Sequence, residues 1–247
     1  MGTGHGKVYA VDVRWTTGFL DSPTTGAEPF WLAVTGTTLS ARRDGGVFAT
    51  LVPARGDAYL RAQVTAGPAR AHLDLHVAGV PEAAGEAVAL GARVVRDAGS
   101  LVVLRSPAGL EFCLVPWRGE RVCPAAGRWP GGQASRLDQV CLDVPEDLFE
   151  SEASFWSALT GWGREPSDRP EFESLARPAG MPLRILLQRV GSPDAGMHPD
   201  LACDDVPAEV ARHVGLGARV VREVPGEWTT LLDPAGREYC VTARSPF

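Results

Sequence analysis

The chain has 247 residues, 45% of them hydrophobic and 22% charged, the profile of a soluble globular protein. Its net charge of −6 has the wrong sign for a nucleic-acid or anionic-membrane partner. Five cysteines form an odd set without CxxC spacing, which argues against a disulfide framework or zinc ribbon and for a reducing cytoplasm.

Residues 1–13 read as a leader with room for part of an edge strand; they lack signal-peptide character, and no run approaches a membrane span, so a cytosolic protein is expected. Residues 15–21 read as a strand and Pro23 to Val34 as a helix carrying Phe30 and Trp31, closed by Gly36. Strands are expected over 46–52 and 58–65, separated by the turn residues 53–57. A strand at 71–77 precedes a helix with Pro81 in its first turn and Gly91 at its end. Val94 and Val95 then start a strand, and a hairpin joins 101–105 to 110–115 through Ser106, Pro107, Ala108 and Gly109, with Pro and Gly at type I turn positions. Residues 118–132 are rich in Gly, Pro and Arg and read as a linker.

Beyond the linker the pattern restarts. Residues 136–143 parallel 14–21, and Phe155 and Trp156 before Gly161 parallel Phe30 and Trp31 before Gly36. Most telling is the stretch from His72 to Asp97, which aligns without a gap to His198–Glu223 with 13 of 26 residues identical. After one inserted residue the match resumes, Ser106–Cys113 against Asp233–Cys240. Composition bias cannot set a His, an Asp, a Pro, a Glu and a Cys in register twice, so this is an internal duplication. The chain reads as α+β, with four βαβββ modules (about 14–66, 70–117, 136–191 and 196–244) paired into two tandem domains, 1–117 and 133–247.

Paired βαβββ modules, a His on a module's first strand and a Pro-x-Gly-x-Glu turn into a last strand resemble the vicinal oxygen chelate superfamily, that of glyoxalase I, extradiol dioxygenases and bleomycin-resistance proteins. The resemblance is strongest to its tandem glyoxalase-like branch. It implies a sheet curved around a small-molecule pocket, with metal ligands on the first and last strands of each module. By position these are Thr17, Gln63, His72 and Cys113, then Gln139, Gln188, His198 and Cys240. The set departs from the superfamily's metalloenzymes, because their glutamates are replaced and amides are feeble ligands. Extradiol cleavage is not expected, since Gln139, His198 and Cys240 lack the second His and the Glu.

Side chains two apart on a strand share a face, which puts Glu111 beside Cys113, Glu238 beside Cys240, and His72, Asp74 and His76 together. The expected acid–base residues are therefore His72, His76, Glu111, His198 and Glu238. Gln63, Asp74, Gln139, Gln188 and Asp200 are expected substrate contacts; His72, Gln139 and His198, at positions the resemblance makes ligands, with Glu111 and Glu238 on the neighbouring strand faces, are the expected holders of a divalent Zn, Ni, Mn or Fe ion. The bland readings stand beside these: a buried imidazole bridging polar neighbours, cysteines serving as small hydrophobes, and Phe30, Trp31, Phe155 and Trp156 as core. No nucleotide-binding, serine-hydrolase or zincin motif is present, so no nucleotide cofactor is expected. The expected partner is a small organic molecule, handled by a monomeric pseudo-dimer or a homodimer. Two functions remain open: a glyoxalase-like lyase or isomerase moving a proton next to a carbonyl, with His72, Glu111 or their copies as base and Gln139 or an arginine polarising the carbonyl, and a sequestering protein of the drug-resistance type. A purely structural or regulatory partner role is a third.

Overall fold

The computed structural model describes residues 10–247, so most of the expected leader, residues 1–9, lies outside the described residues. In order, the first half runs β1 (Val13–Ser22), α1 (Glu28–Thr35), β2 (Thr38–Leu39), β3 (Phe48–Val52), β4 (Leu60–Val64), β5 (Arg70–Val77), α2 (Val80–Ala89), β6 (Arg93–Asp97), β7 (Val102–Arg105) and β8 (Glu111–Pro116). A short β9 (Gly127–Arg128) leads to the second half: β10 (Ala134–Pro145), α3 (Phe149–Thr160), β11 (Arg164–Pro166), β12 (Phe172–Leu175), β13 (Arg184–Val190), β14 (Gly196–Cys203), α4 (Val206–Gly215), β15 (Arg219–Val224), β16 (Trp228–Leu232) and β17 (Glu238–Ala243).

The duplication is visible in the strand order, β2-β3-β4-β1-β5-β8-β7-β6 in one sheet and β11-β12-β13-β10-β14-β17-β16-β15 in the other. In every module the last strand returns parallel to the first, and the two first strands of a half pair antiparallel at the sheet's centre. This topology collects the first and last strands of both modules side by side, which is where convergent side chains can meet. β10 is buried along almost its whole length because helices cover one face and the site occupies the other. β6 and β15, at the outer edges, are exposed almost throughout.

The first helix begins at Glu28 rather than near Pro23. A start at 23 would place Pro29 in the helix interior, where it lacks the N–H for an i→i−4 bond; starting at Glu28 puts it in the first turn, where that bond is not needed. Gly36 and Gly161 end α1 and α3 in the left-handed conformation, at φ of 65° and 70°. The end of the expected leader is docked rather than loose: Val11 is buried and its N–H donates to Leu159 O at 2.7 Å. The segment after β8 is also fastened, with Asp57 Oδ2 accepting from the N–H groups of Arg121 and Val122.

The helices cross between halves. On α1, Phe30 and Trp31 pack on Tyr239 of β17, Phe30 also meets His213 of α4, and Trp31 Nε1 donates to Asp233 Oδ2 at 2.7 Å. On α3, Phe155 and Trp156 pack on Phe112 of β8, while Glu152 accepts from Trp156 Nε1 and from Ala108 N. These aromatic pairs, expected to be core, are core, but each serves the other half's sheet. The apolar interiors of both halves therefore form one continuous cluster. None of the described helices is long and apolar enough to cross a membrane.

Candidate functional site

The duplicated histidines stand on the two central first-strand partners. His198 on β14 faces Cys141 on β10, and His72 on β5 faces Phe19 on β1. Each ring lies between two carboxylates. His198 Nδ1 is 2.8 Å from Asp143 Oδ2 and Nε2 is 3.3 Å from Asp200 Oδ1. His72 repeats this with Asp21 at 2.9 Å and Asp74 at 3.5 Å. Asp74 and Asp200 sit beside Cys113 and Cys240 across the parallel pairs β5–β8 and β14–β17, and Cys240 Sγ comes within 3.8 Å of His198 Nε2.

Asp21 and Asp143 were absent from the sequence-derived site. The signal was available, since both end the aligned segments 14–21 and 136–143. The resemblance instead directs attention four residues upstream, to the ligand positions Thr17 and Gln139.

What differs between the halves is the residue over the ring. Phe19 stacks on His72 at 4.3 Å between centroids and 16° between planes, with Arg61 over its ring. At the matching position Cys141 is too small to cover His198, and the space it leaves belongs to a cavity of about 490 Å³. Gln139, His198, Asp200 and Cys240 line it at the sheet; Phe172 and Trp228, edge to face at 5.6 Å, form an aromatic wall. A second cavity of about 460 Å³ shares Gln188, His198, Trp228 and Cys240, and Asp143 and Glu238 border it.

The other expected residues separate. Gln139 lies in the main cavity, but its Nε2 donates to Asp200 Oδ2 at 2.6 Å, so its first task is to orient that carboxylate. Gln188 accepts from Cys141 Sγ at 3.7 Å and borders both cavities. Gln63, expected to contact substrate, instead lines a crevice of about 10 Å³ beneath α1, too small for any substrate. Thr17 meets His76 Nε2 at 2.8 Å, and His76 Nδ1 lies 3.4 Å from Glu120, which draws this imidazole away from His72. Glu111 is held by Arg70 and Arg105, and Glu238 is an exposed rim residue. Among the described residues, neither glutamate joins a cluster of metal-ligand atoms.

The environment charges the two central rings. Burial opposes charge on His72, but hydrogen bonds to Asp21 and Asp74 outweigh it and raise its pKa well above the usual 6.5. Burial likewise opposes charge on His198; Cys141 and the carboxylates Asp200 and Asp143 favour it, and its pKa is again raised well above 6.5. Burial pushes the Cys141 thiol itself far up, so it is neutral at ordinary pH and the carboxylates hold the imidazolium. His76 moves the other way, its burial dominating the neighbouring Glu120.

Ligand atoms of Cys141, His198 and Asp200 lie within 4.8 Å of one another, as do those of His72, Asp74 and Cys113. Asp200 Oδ1 is buried without a hydrogen-bond partner, an orphan that a cation would satisfy. One nitrogen, one oxygen and one sulfur fit a borderline ion such as zinc; a 2-His-1-carboxylate iron site needs a second imidazole that this cluster lacks.

A family profile described as a glyoxalase-like domain matches residues 20–115 and 139–242. No curated protein matches in a sequence search. Among solved structures, a variant of 4-hydroxymandelate synthase from Streptomyces coelicolor superposes at TM-score 0.60 and 14% identity, covering 96% of this chain and 94% of that one. An extradiol ring-cleaving dioxygenase from B. fuscum gives 0.67 at 13% identity, over 97% and 74%. The 2,3-dioxygenase LapB from Pseudomonas sp. KL28 gives 0.64 at 14%, over 94% and 93%. At such identities these likenesses speak for the fold alone. With a profile match in each half and the strand order of paired βαβββ modules, the chain belongs to the glyoxalase-like domain family and has the tandem vicinal-oxygen-chelate fold.

Proposed function

We propose that the second half is the working one, and that it moves a proton next to the carbonyl of a small organic molecule. The observation that carries this is His198 at the wall of the 490 Å³ cavity, held between Asp143 and Asp200. A ring charged at neutral pH is a donor rather than a base, so the roles expected from sequence are exchanged. His198 Nε2–H donates to the carbonyl oxygen, and Asp200 is the base. Asp200 Oδ2 is fixed by Gln139 while Oδ1, without a hydrogen bond, lies 3.3 Å from His198 Nε2. An oxygen and its neighbouring C–H presented together would meet donor and acceptor at once. The α-proton passes to Asp200, the enolate oxygen is stabilised by the imidazolium, and return of the proton to the same carbon completes an exchange; in an α-hydroxy carbonyl, its return to the carbonyl carbon, with the hydroxyl proton moving to the first oxygen, completes an isomerisation.

A divalent ion bound by Cys141, His198 and Asp200 would supply Lewis-acid polarisation of a carbonyl. Chelation requires a neutral ring, so such binding would weaken as pH falls. Five free cysteines suit a reducing cytoplasm as the place of action.

The test is proton NMR in D2O with a panel of ketones, aldehydes and 2-oxo acids bearing an α C–H. Time-dependent loss of an α-proton signal is expected, slowed about 10²–10⁴-fold in both His198→Asn and Asp200→Asn. Ligands that bind against Phe172 and Trp228, seen by calorimetry, yet never exchange would make this a sequestering protein instead.

A further inference from the structure

Resting on the reading that this cavity is the working site, the charges around it say what kind of molecule it takes. Three arginines line it. Arg169 at one end is committed to Glu171 and Glu227 and lies over the Trp228 ring. Arg244 is committed to Asp138, donating to both carboxylate oxygens at 3.1 and 2.7 Å. That uses up Asp138, the buried residue at the β10 bulge between Leu137 and Gln139. Arg184 has neither a hydrogen bond nor an ion pair among the described residues, although it is half-buried and lines the cavity. Burial, Arg244 and Arg177 all work against its charge, and only the fields of Asp138 and Glu165 favour it, neither bonding to it.

A half-buried guanidinium has five donors in a planar fork and stays charged, so leaving it unpaired beside other cations is costly unless an anion arrives. We infer that Arg184 is the anchor for a carboxylate on the ligand, at the opposite end of the cavity from His198. Strand register gives the spacing. Arg184 neighbours Gln139 on the parallel pair β13–β10, whereas His198 faces Cys141, one step along β10 and on its other side. Two strand spacings and one two-residue step separate the Cα atoms by about 12 Å, and both side chains reach inward across that gap. The anchor and the reacting carbonyl therefore belong to different parts of the molecule, and the Phe172–Trp228 wall offers an apolar surface to the rest of it. One guanidinium suits a monoanion; a phosphate would leave much of its charge unmet. The first half has no such anchor, because Tyr59 takes the matching place and donates its hydroxyl to Leu137 O at 2.7 Å.

The experiment is ligand-observed NMR with the full chain and a panel of aryl-alkyl acids, each paired with its primary amide and with a phosphate of the same skeleton. Carboxylates should be the hits, at least tenfold tighter than their amides. That preference should vanish in Arg184→Gln and return in part in Arg184→Lys, with unchanged circular dichroism showing that both variants are folded. Equal binding of acids and amides, absence of acid hits, a preference for phosphates, or a preference surviving in Arg184→Gln would each overturn the inference. His198→Asn separates the two readings. Retained acid preference without α-proton exchange in any variant leaves the anchor standing and removes the proton chemistry; exchange without acid preference does the reverse.

Discussion

At the residue scale, the pair Asp143–His198 sets the pH response. The folded-state pKa of His198 is raised above the unfolded value near 6.5, so its contribution to stability is full below about pH 6.5 and is lost as pH rises through the folded value. His72, raised in the same direction by Asp21 and Asp74, adds to this slope. Thermal midpoints should therefore fall as pH climbs from about 6.5 toward 8.5, below the range where the buried cysteines contribute in the same sense. Asp143→Asn removes one carboxylate from the ring. The His198 Cε1–H resonance should then titrate at lower pH than in the wild type, and the stability slope should become shallower; an unmoved titration would refute Asp143 as the charge that holds the ring. Sequence reasoning reached His198, Asp200, Gln139 and Cys240 because repeat and register are periodic signals, and a strand's period of two carries a residue's neighbour with it. It misjudged Glu111, since nothing in the local pattern shows that Arg70 and Arg105 would capture it. It offered His198 as a base for the same reason: which carboxylates flank a ring and favour its charged form depends on cross-strand pairing, here with β10.

At the scale of elements, what holds the molecule together is the exchange of helices, and Arg237 bonds across it in several directions. Its guanidinium is buried and donates to Asp233 Oδ2 at 2.5 Å, to Arg70 O at 2.9 Å, and to Asp21 O and Ser22 Oγ at 2.5 and 2.7 Å. Asp233 in turn accepts from Trp31 of α1. One side chain at the β16–β17 turn thus ties the fourth module to the end of β1 in the other half. Arg237→Ala would strand the Asp233 carboxylate in the interior, at a cost of about 3–5 kcal/mol. The thermal midpoint should fall by roughly 10 °C, and Arg237→Lys should recover little, because a single ammonium cannot span three directions. A loss within about 1 kcal/mol would mean that the crossing rests on the packing of Phe30, Trp31 and Tyr239 and on Arg212, which donates to Ala33 O and Val34 O. The modules themselves were readable from turn signals and periodicity, but their crossing was not. The Pro-Ala-Gly turns repeat at 107–109 and 234–236, yet in the sequence Ser106 and Asp233 look interchangeable. Only the fold shows that Asp233 receives a tryptophan N–H from the other half.

For the whole molecule, duplication has produced two similar charged centres with different access. The His-Asp-Cys arrangement survives in both halves, so the difference lies in what surrounds it: Phe19 against Cys141, Arg61 against Leu186, and Tyr59 against Arg184. In the first half these residues close the ring's face and tie the chain before β4 to β10 of the other half; in the second they leave a cavity and a cation unpaired among the described residues. A swap tests whether this division is real. Cys141→Phe should seat a ring on His198 as Phe19 sits on His72, filling part of the cavity while costing no more than the roughly 1–3 kcal/mol typical of an overpacked site. Ligand binding and α-proton exchange should both be lost although the chain stays folded. Phe19→Cys should uncover His72 without creating activity, since Tyr59 offers no anionic anchor. Measured together by exchange NMR and thermal denaturation, a silent Cys141→Phe beside an unchanged Phe19→Cys assigns the work to the second half. Activity that survives Cys141→Phe and disappears with Phe19→Cys would assign it to the first.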